Sequence, residues 1–553
     1  MPVIKVNRQD FCKLVGKELS MEFVEKTLPM LGVAWEGKEG DEFSVEVFPN
    51  RPDMLSVEGL ARAFASFIGL KPGLKKYEAK SFDYMVIVDN RVANVRPFIA
   101  SAVAKGVEFT DDFITSIMQL QEKLHVTHGR KRRKVAIGLH DLSKITFPVV
   151  YTTKPKDFRF IPLGFEEELT LEEILKVHPK GREYGWILDG YDEYPILIDA
   201  KNMVLSMPPI INSCHTMLTE QTTGVFFDVT GTDMKAVEEV LNILVTTFAD
   251  RGAEIFSVEV RYGVQAISYP RFEPKKMEVD ASYISKLLGL NLPAVEIAKL
   301  LERMGYGVEV RGGKLLVLIP CYRTDIMHPI DVAEDVAIAY GYDKLEPELP
   351  NIASVASEDR RERFFNLVRS FMVGFGLQEV KTFILTSEEK LFKLLGREKG
   401  KVVELENPKT TEFTVARDTL VPSMLEILRR NRKNEYPQNL FEVGKALVVD
   451  ESKENKVKEL NLLCVALCHA RANFSEIKSL VEALMKNFGI SYEIKEGKRP
   501  FIVDGRCAEL LVGGASVGYL GEIKPEVLNA WQVYMPVAVC ELNLDELVHE
   551  SKP

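Results

Sequence analysis

The chain has 553 residues, 46% of them hydrophobic and 27% charged, and carries a net charge of -10. That length predicts roughly three to five domains, each large enough to bury its own core, and the composition is that of an ordinary soluble protein. The acidic balance excludes a general polyanion coat, so any nucleic acid must meet local basic patches. No apolar run reaches the ~18 residues of a membrane span, and the N-terminus lacks a signal-peptide pattern, which predicts a cytoplasmic protein with no membrane contact.

Residues 1–85 are the first copy of a duplicated unit. Val6, Asn7, Phe11, Lys13, Leu14, Val15 and Gly16 match Val279, Asp280, Ile284, Lys286, Leu287, Leu288 and Gly289 at a constant offset, and Leu28 and Gly32 continue onto Leu301 and Gly305. Beyond a loop of different length, Pro49, Arg51 and Asp53 face Pro320, Arg323 and Asp325, then Ala61, Ala65 and Gly69 face Ala333, Ala337 and Gly341. Each copy reads helix, helix, strand, turn, helix, with glycines where left-handed C-caps belong, and predicts a small winged-helix-like unit.

Residues 86–268 differ in kind. Strand-like runs at Tyr84–Val88, Val149–Thr152, Trp186–Leu188, Ile196–Ile198, Val225–Val229 and Glu254–Val260 alternate with helical patterns at Asp111–Leu124 and Met234–Phe248, which predicts an α+β domain. Within it, the stiff turn Met207–His215 and the strand Phe226–Asp233, ending in hydroxyls and carboxylates, form a junction able to line a small polar pocket. Asp233 equally suits the N-cap of the following helix. Cys214 and His215 are adjacent, so their side chains diverge in a strand and do not form a nucleophilic dyad. Arg130, Lys131, Arg132, Arg133 and Lys134, flanked by His125 and His128, suit phosphate contact and equally suit a solvated loop. The seven cysteines are scattered without a Cys-x-x-Cys pair, so neither a disulfide framework nor a zinc site is indicated, and buried thiols are expected.

The second copy spans 269–346 and departs from the first in one respect. Asp331, Glu334 and Asp335 stand at i, i+3 and i+4 on one helical face, with Asp325 upstream, where the first copy has Gly59, Arg62 and Ala63. Like charges at that spacing repel, and a helix N-terminus or a hard cation would offset them. A proline-bearing linker, 347–358, leads to a last domain, 359–553. That domain reads as a long helix (Arg361–Phe375) and strands near Glu379–Leu385, Val402–Leu405, Asn439–Val443, Cys464–His469, Ala508–Val512, Val517–Glu522 and Val537–Leu542. The pattern predicts a mixed, mainly antiparallel sheet with a few helices, and the whole chain is expected to be α+β and multidomain.

Three motifs occur together and in order: Phe48-Pro49-Asn50-Arg51-Pro52-Asp53; Pro208-Pro209-Ile210-Ile211-Asn212-Ser213 followed by Asp228-Val229-Thr230-Gly231-Thr232-Asp233; and the stretch Tyr322–Tyr342. On these the chain resembles the β subunit of phenylalanyl-tRNA synthetase of the archaeal and eukaryotic type over nearly all its residues. It departs from the longer bacterial form, with no oligonucleotide-binding insertion after residue 70 and no anticodon-binding domain after the last sheet, so anticodon contact is not implied. The resemblance implies an (αβ)2 assembly in which the α subunit attaches phenylalanine to tRNA(Phe) using ATP. It also implies that 86–268 is an editing domain that hydrolyses mischarged tyrosyl-tRNA(Phe), with Asp228, Thr230, Ser206 and Asn212 as candidates for reading the extra hydroxyl or holding the water. An apolar phenylalanine pocket rejects an isostere with one added hydroxyl only weakly, which creates the need for that second site. The same resemblance implies Mg2+ held by Asp325, Asp331, Glu334 and Asp335.

By that resemblance the last domain has a class II synthetase fold. Active copies hold ATP with a late arginine beside a glycine-rich strand; here Gly513, Gly514, Gly518 and Gly521 are present but no arginine follows Arg506, so a catalytically silent copy is expected and the glycines are read as turns and bulges. Two other readings remain: a non-enzymatic scaffold for an α partner and tRNA, and a free-standing metal-dependent hydrolase using the four acids.

Overall fold

A computed structural model describes residues 2–550, without the side chains of 549 and 550. The chain divides into two compact units, Met1–Leu349 and Pro350–Pro553, and residues 345–359 carry no helix or strand.

In the first unit the duplicated copies share one topology. Strands Val3–Asn7, Ala34–Glu39 and Glu42–Glu46 form a sheet in the order first, third, second, and Lys275–Asp280, Gly307–Arg311 and Lys314–Ile319 repeat that order. Each copy therefore opens with a strand that helical periodicity alone did not suggest. The equivalences reach the caps. Asn7 accepts from Gln9 and Asp10 N–H, Asp280 accepts from Ser282 N–H, and Gly16 and Gly289 close their helices at φ 88° and 68°. In both copies the turn arginine binds its aspartate through Nε and Nη2, Arg51 to Asp53 and Arg323 to Asp325.

Between the copies lies a ten-stranded sheet, mixed in direction, in which Glu254–Tyr262 pairs parallel with Ala79–Val88 and antiparallel with Phe98–Lys105. Helix Met234–Asp250 packs on one face of it, with Val237, Leu241, Leu244 and Phe248 fully buried. Trp186–Leu188, expected as a strand, lies in a 3-10 turn, Gly185–Leu188, that continues the helix Pro179–Tyr184. Its apolar run is short, and periodicity cannot separate a buried helical turn from a strand at that length.

The second unit is built on a seven-stranded sheet: Gln378–Glu379, Gln438–Val449, Val457–Cys468, Val537–Asn543, Ala515–Ile523, Ile502–Val512 and Glu493–Glu496 in spatial order, antiparallel except at the first pair. Both faces are apolar, and alternation assigns them. Leu463, Val465, Ala538 and Cys540 pack under helices Arg360–Gly374 and Phe474–Phe488, whereas Cys464, Ala466, Val537 and Val539 face Val421–Arg430 and Pro525–Ala530. Val402–Leu405 forms only a single bridge, Glu404 to Val415. All seven cysteines are free; Cys214 is exposed and Cys321 half-buried, while the other five are buried thiols.

Candidate functional site

Strand Gly224–Gly231 carries the polar residues of interest on one face. Phe227 and Val229 point to the other, where Phe227 meets Phe248 edge-on at 4.9 Å, so Phe226, Asp228 and Thr230 project away from the helix. Directly across the ladder stand His140, Gly138 and Ala136 of strand Val135–Asp141, paired with Phe226, Asp228 and Thr230 respectively. A Cβ on Gly138 would lie 2.4 Å from Asp228 Oδ2. Two small residues side by side therefore leave a hollow in the sheet face. The resulting cavity of about 400 Å³ is closed by Met207–Asn212 and Arg132, and Ser206, Asn212, Asp228 and Thr230 all line it.

Asp228 is 2% exposed and its two oxygens differ. Oδ2 takes a hydrogen bond from Ser206 Oγ at 2.9 Å and lies 2.8 Å from His140 Nε2. Oδ1 has no such partner among the described residues, and Asp228 lines the cavity. An ionised carboxylate only accepts, so Nε2 carries a proton; in the neutral imidazole Thr216 Oγ1, 2.8 Å from Nδ1, is then the donor to it. Thr230 Oγ1 accepts from Arg96 Nε at 2.9 Å, which leaves its own proton free to donate. Arg96 is fully enclosed and also donates to the carbonyls of Thr230, Arg132 and Arg133. Burial pushes its guanidinium down to about 10, which keeps it cationic at neutral pH. His140, Thr216, Gly138 and Arg96 were not singled out in the sequence; the alternation Ala136-x-Gly138-x-His140 was the available signal.

The basic run is not one exposed patch. Arg130, Lys131 and Arg132 take left-handed φ of 49°, 53° and 65°, and this turn sends Arg132 inward, where Nη1 donates to the Ile210 carbonyl at 2.8 Å and the guanidinium stacks on Tyr184. Lys134 pairs with Asp233, which caps Met234–Asp250 by accepting from Ala236 N–H. Arg130, Lys131 and Arg133 remain exposed. His125 is buried as an acceptor for Ile137 N–H, and burial holds it far below the ordinary imidazole range.

The four acids of the second copy lie close in sequence but are held separately. Arg323, itself buried, donates to Asp325 through Nε and Nη2 and to Asp335 through Nη2 at 2.8 Å; Tyr306 Oη also donates to Asp335. Burial works to raise the Asp325 carboxyl, but Arg323 and Arg51 keep it below its ordinary range. Asp331 accepts from the N–H groups of Met327 and His328 in a capping box, and Glu334 is exposed. Hard carboxylate oxygens suit Mg2+. As placed, however, no three His, Cys, Asp or Glu side chains among the described residues converge as ligands, so a cation would have to displace Arg323 from Asp335. In the first copy Arg62 replaces Glu334, and its guanidinium stacks 3.8 Å over Tyr322 while bonding Asp250.

Family models place this geometry in a class, that of aminoacyl-tRNA synthetase chains. A B3/4 domain matches 110–244, a tRNA synthetase B5 domain 277–342, and the CLM domain of the phenylalanyl-tRNA synthetase beta chain 345–544. Curated relatives match end to end. The phenylalanine--tRNA ligase beta subunit of Pyrococcus abyssi is 44% identical over 99% of this chain and 100% of its own, and that of Archaeoglobus fulgidus 43% identical over 98% of each. An N-terminal fragment of the Pyrococcus horikoshii phenylalanyl-tRNA synthetase beta subunit superposes with TM-score 0.60 and 42% identity, covering 61% of this chain and 99% of the fragment. The chain belongs to the family of phenylalanine--tRNA ligase beta subunits.

Proposed function

We propose that this chain works with an α subunit, in an (αβ)2 assembly that charges tRNA(Phe) with phenylalanine using ATP, and that its own chemistry is hydrolysis of mischarged tyrosyl-tRNA(Phe) in the Asp228 cavity. The observation that carries this reading is the asymmetry of Asp228, a residue lining a cavity of about 400 Å³: Oδ2 is fixed by Ser206 and His140 while Oδ1 has no partner among the described residues. A tyrosine ring brings a phenolic O–H to such an acceptor. A phenylalanine ring in the same place leaves the buried oxygen unpaired, at a cost of about 1–3 kcal/mol. Thr230, with its proton free, adds a donor for the phenolic oxygen or a water, and Asn212 closes the rim.

Arg130, Lys131 and Arg133 are the groups of the basic run left available for tRNA phosphates. The two copies at 1–85 and 269–346 frame the editing domain at 86–268 as winged-helix-like units, and 359–553, beyond the linker 347–358, acts as a catalytically silent class II-like domain. Its sheet centre is filled by its own polar side chains, Arg417 with Glu442 and Glu541 with Thr419 and Tyr519, where an active copy needs open space. Gly513 and Gly514 make the hairpin turn between two strands, and a Cβ on Gly518 would strike the Glu541 carbonyl at 2.1 Å, so these glycines serve backbone geometry. Mg2+ would be held by Asp325, Asp331, Glu334 and Asp335, hard donors largely lacking in the other copy.

The reading is tested by incubating the chain, with its α partner, with tyrosyl-tRNA(Phe) and phenylalanyl-tRNA(Phe). Tyrosine is expected to be released while phenylalanine survives; equal rates, or no release above background, would overturn it and favour a non-enzymatic scaffold.

A further inference from the structure

A second cavity adjoins the Asp228 pocket. It has a volume of about 460 Å³, and Met118, Gln121, Leu163 and Asn212 line both, so those four residues are a partition between them. The two chambers differ in chemistry. The first contains Asp228, Thr230, Ser206 and Arg132; the second is walled mainly by apolar side chains, Ile117, Leu139, Met217 and Leu218 among them, with Thr219 and Glu220 also on its lining. Both amides on the partition are anchored to one strand: Gln121 Nε2 donates to the Ile137 carbonyl at 3.0 Å and Asn212 Nδ2 to the Leu139 carbonyl at 3.3 Å. Those carbonyls can only accept, which fixes the NH2 of each amide on the strand and leaves Gln121 Oε1 and Asn212 Oδ1 as free acceptors at the junction of the chambers.

We infer that the second chamber is the subsite for the 3′-terminal adenosine of the mischarged tRNA; this rests on the hydrolytic reading given above. In an aminoacyl ester the side chain and the α-ammonium both branch from Cα, and the ester joins Cα to the ribose and its base. With the side chain in the polar chamber, the α-ammonium falls at the partition, where two amide oxygens accept from it, and the base enters the adjoining space. A purine presents two flat apolar faces, which thioether and branched aliphatic side chains cover well. Met118 and Met217 are 66% and 48% exposed at the rim, a large apolar exposure that a stacked base would relieve.

The α-partnered enzyme is assayed for steady-state deacylation of tyrosyl-tRNA(Phe) as wild type, Leu218→Glu and Leu218→Met; Leu218 is only half-buried, so both variants are expected to fold. Leu218→Glu is expected to raise KM ~10-fold or more with kcat within about twofold, while Leu218→Met keeps the wild-type KM, the signature of lost ground-state binding. Free adenosine should compete with the wild type and not with Leu218→Glu. An unchanged KM in Leu218→Glu, or adenosine that does not compete with the wild type, overturns the subsite and leaves the hydrolytic reading standing. A wild type that does not deacylate tyrosyl-tRNA(Phe) at all overturns both.

Discussion

Gly138 stands directly opposite Asp228 in the antiparallel register, and a methyl group at position 138 would sit 2.4 Å from the carboxylate oxygen that Ser206 and His140 hold. The carboxylate is short and buried, so it cannot swing aside without losing those bonds. Gly138→Ala is therefore expected to cost about 1–3 kcal/mol of stability and to lower tyrosyl-tRNA(Phe) deacylation at least tenfold, measured by thermal melting and by release of labelled tyrosine. Wild-type deacylation in Gly138→Ala would mean that the position of Asp228 does not matter.

His140 is the second support of that carboxylate, fully buried between Thr216 and Asp228. Thr216→Val removes the donor to Nδ1 while keeping shape, and leaves a buried ring nitrogen unpaired at a cost of about 1–3 kcal/mol. The imidazole is then free to change tautomer and withdraw its proton from Asp228. Thr216→Ser should behave as wild type, because the hydroxyl is retained. The deacylation rate should fall in the valine variant and recover in the serine variant; equal rates in both would show that the hydroxyl does not position His140.

Much of this was legible in the sequence because the duplication could be checked against itself. The glycine C-caps at Gly16 and Gly289 and the Arg-x-Asp turns follow from residue types that act locally. Asp228, Thr230, Ser206 and Asn212 share one cavity because the first two lie two residues apart on a strand and the other two pair with each other across the hairpin Val204–Met207 and Ile211–Asn212. What the sequence withheld was pairing. Nothing local says that Val135–Asp141 lies beside Gly224–Gly231, and that neighbour supplies Gly138 and His140. The five-residue basic run misled in the same way: its left-handed turn, which residue type alone does not signal, sends Arg132 inward to line the pocket.

At the acidic turn, Asp331 and Glu334 are the two acids that Arg323 does not hold, so they give a clean test of cation binding. With the α-partnered enzyme, Mg2+ is expected to raise the melting temperature, and Asp331→Asn with Glu334→Gln to weaken its apparent affinity by about tenfold or more. The double variant should deacylate tyrosyl-tRNA(Phe) like the wild type, since the pocket lies elsewhere. An unaltered Mg2+ titration in the double variant would remove these residues as ligands.

In the second unit, burial pushes the carboxyl of Glu541 above its ordinary 4.5, although Leu420 N–H, Thr419 and Tyr519 all donate to it. Between 4.5 and its raised value the folded protein therefore binds more protons than the unfolded chain, so stability falls as pH rises through that window. Glu541→Gln keeps the shape and carries no proton to lose. Its melting temperature should change less than that of the wild type between about pH 5 and pH 8. Parallel profiles for the two proteins would mean that Glu541 titrates as it does in the unfolded chain.

The most direct measurement of the central claim is the ratio of deacylation rates, kcat/KM, for tyrosyl-tRNA(Phe) over phenylalanyl-tRNA(Phe), in the wild type and in Asp228→Ala. If Asp228 Oδ1 reads the phenolic hydroxyl, the wild-type ratio is large and the substitution lowers it at least tenfold, chiefly through the tyrosyl substrate. A ratio unchanged by Asp228→Ala, whatever happens to the absolute rates, would contradict the account.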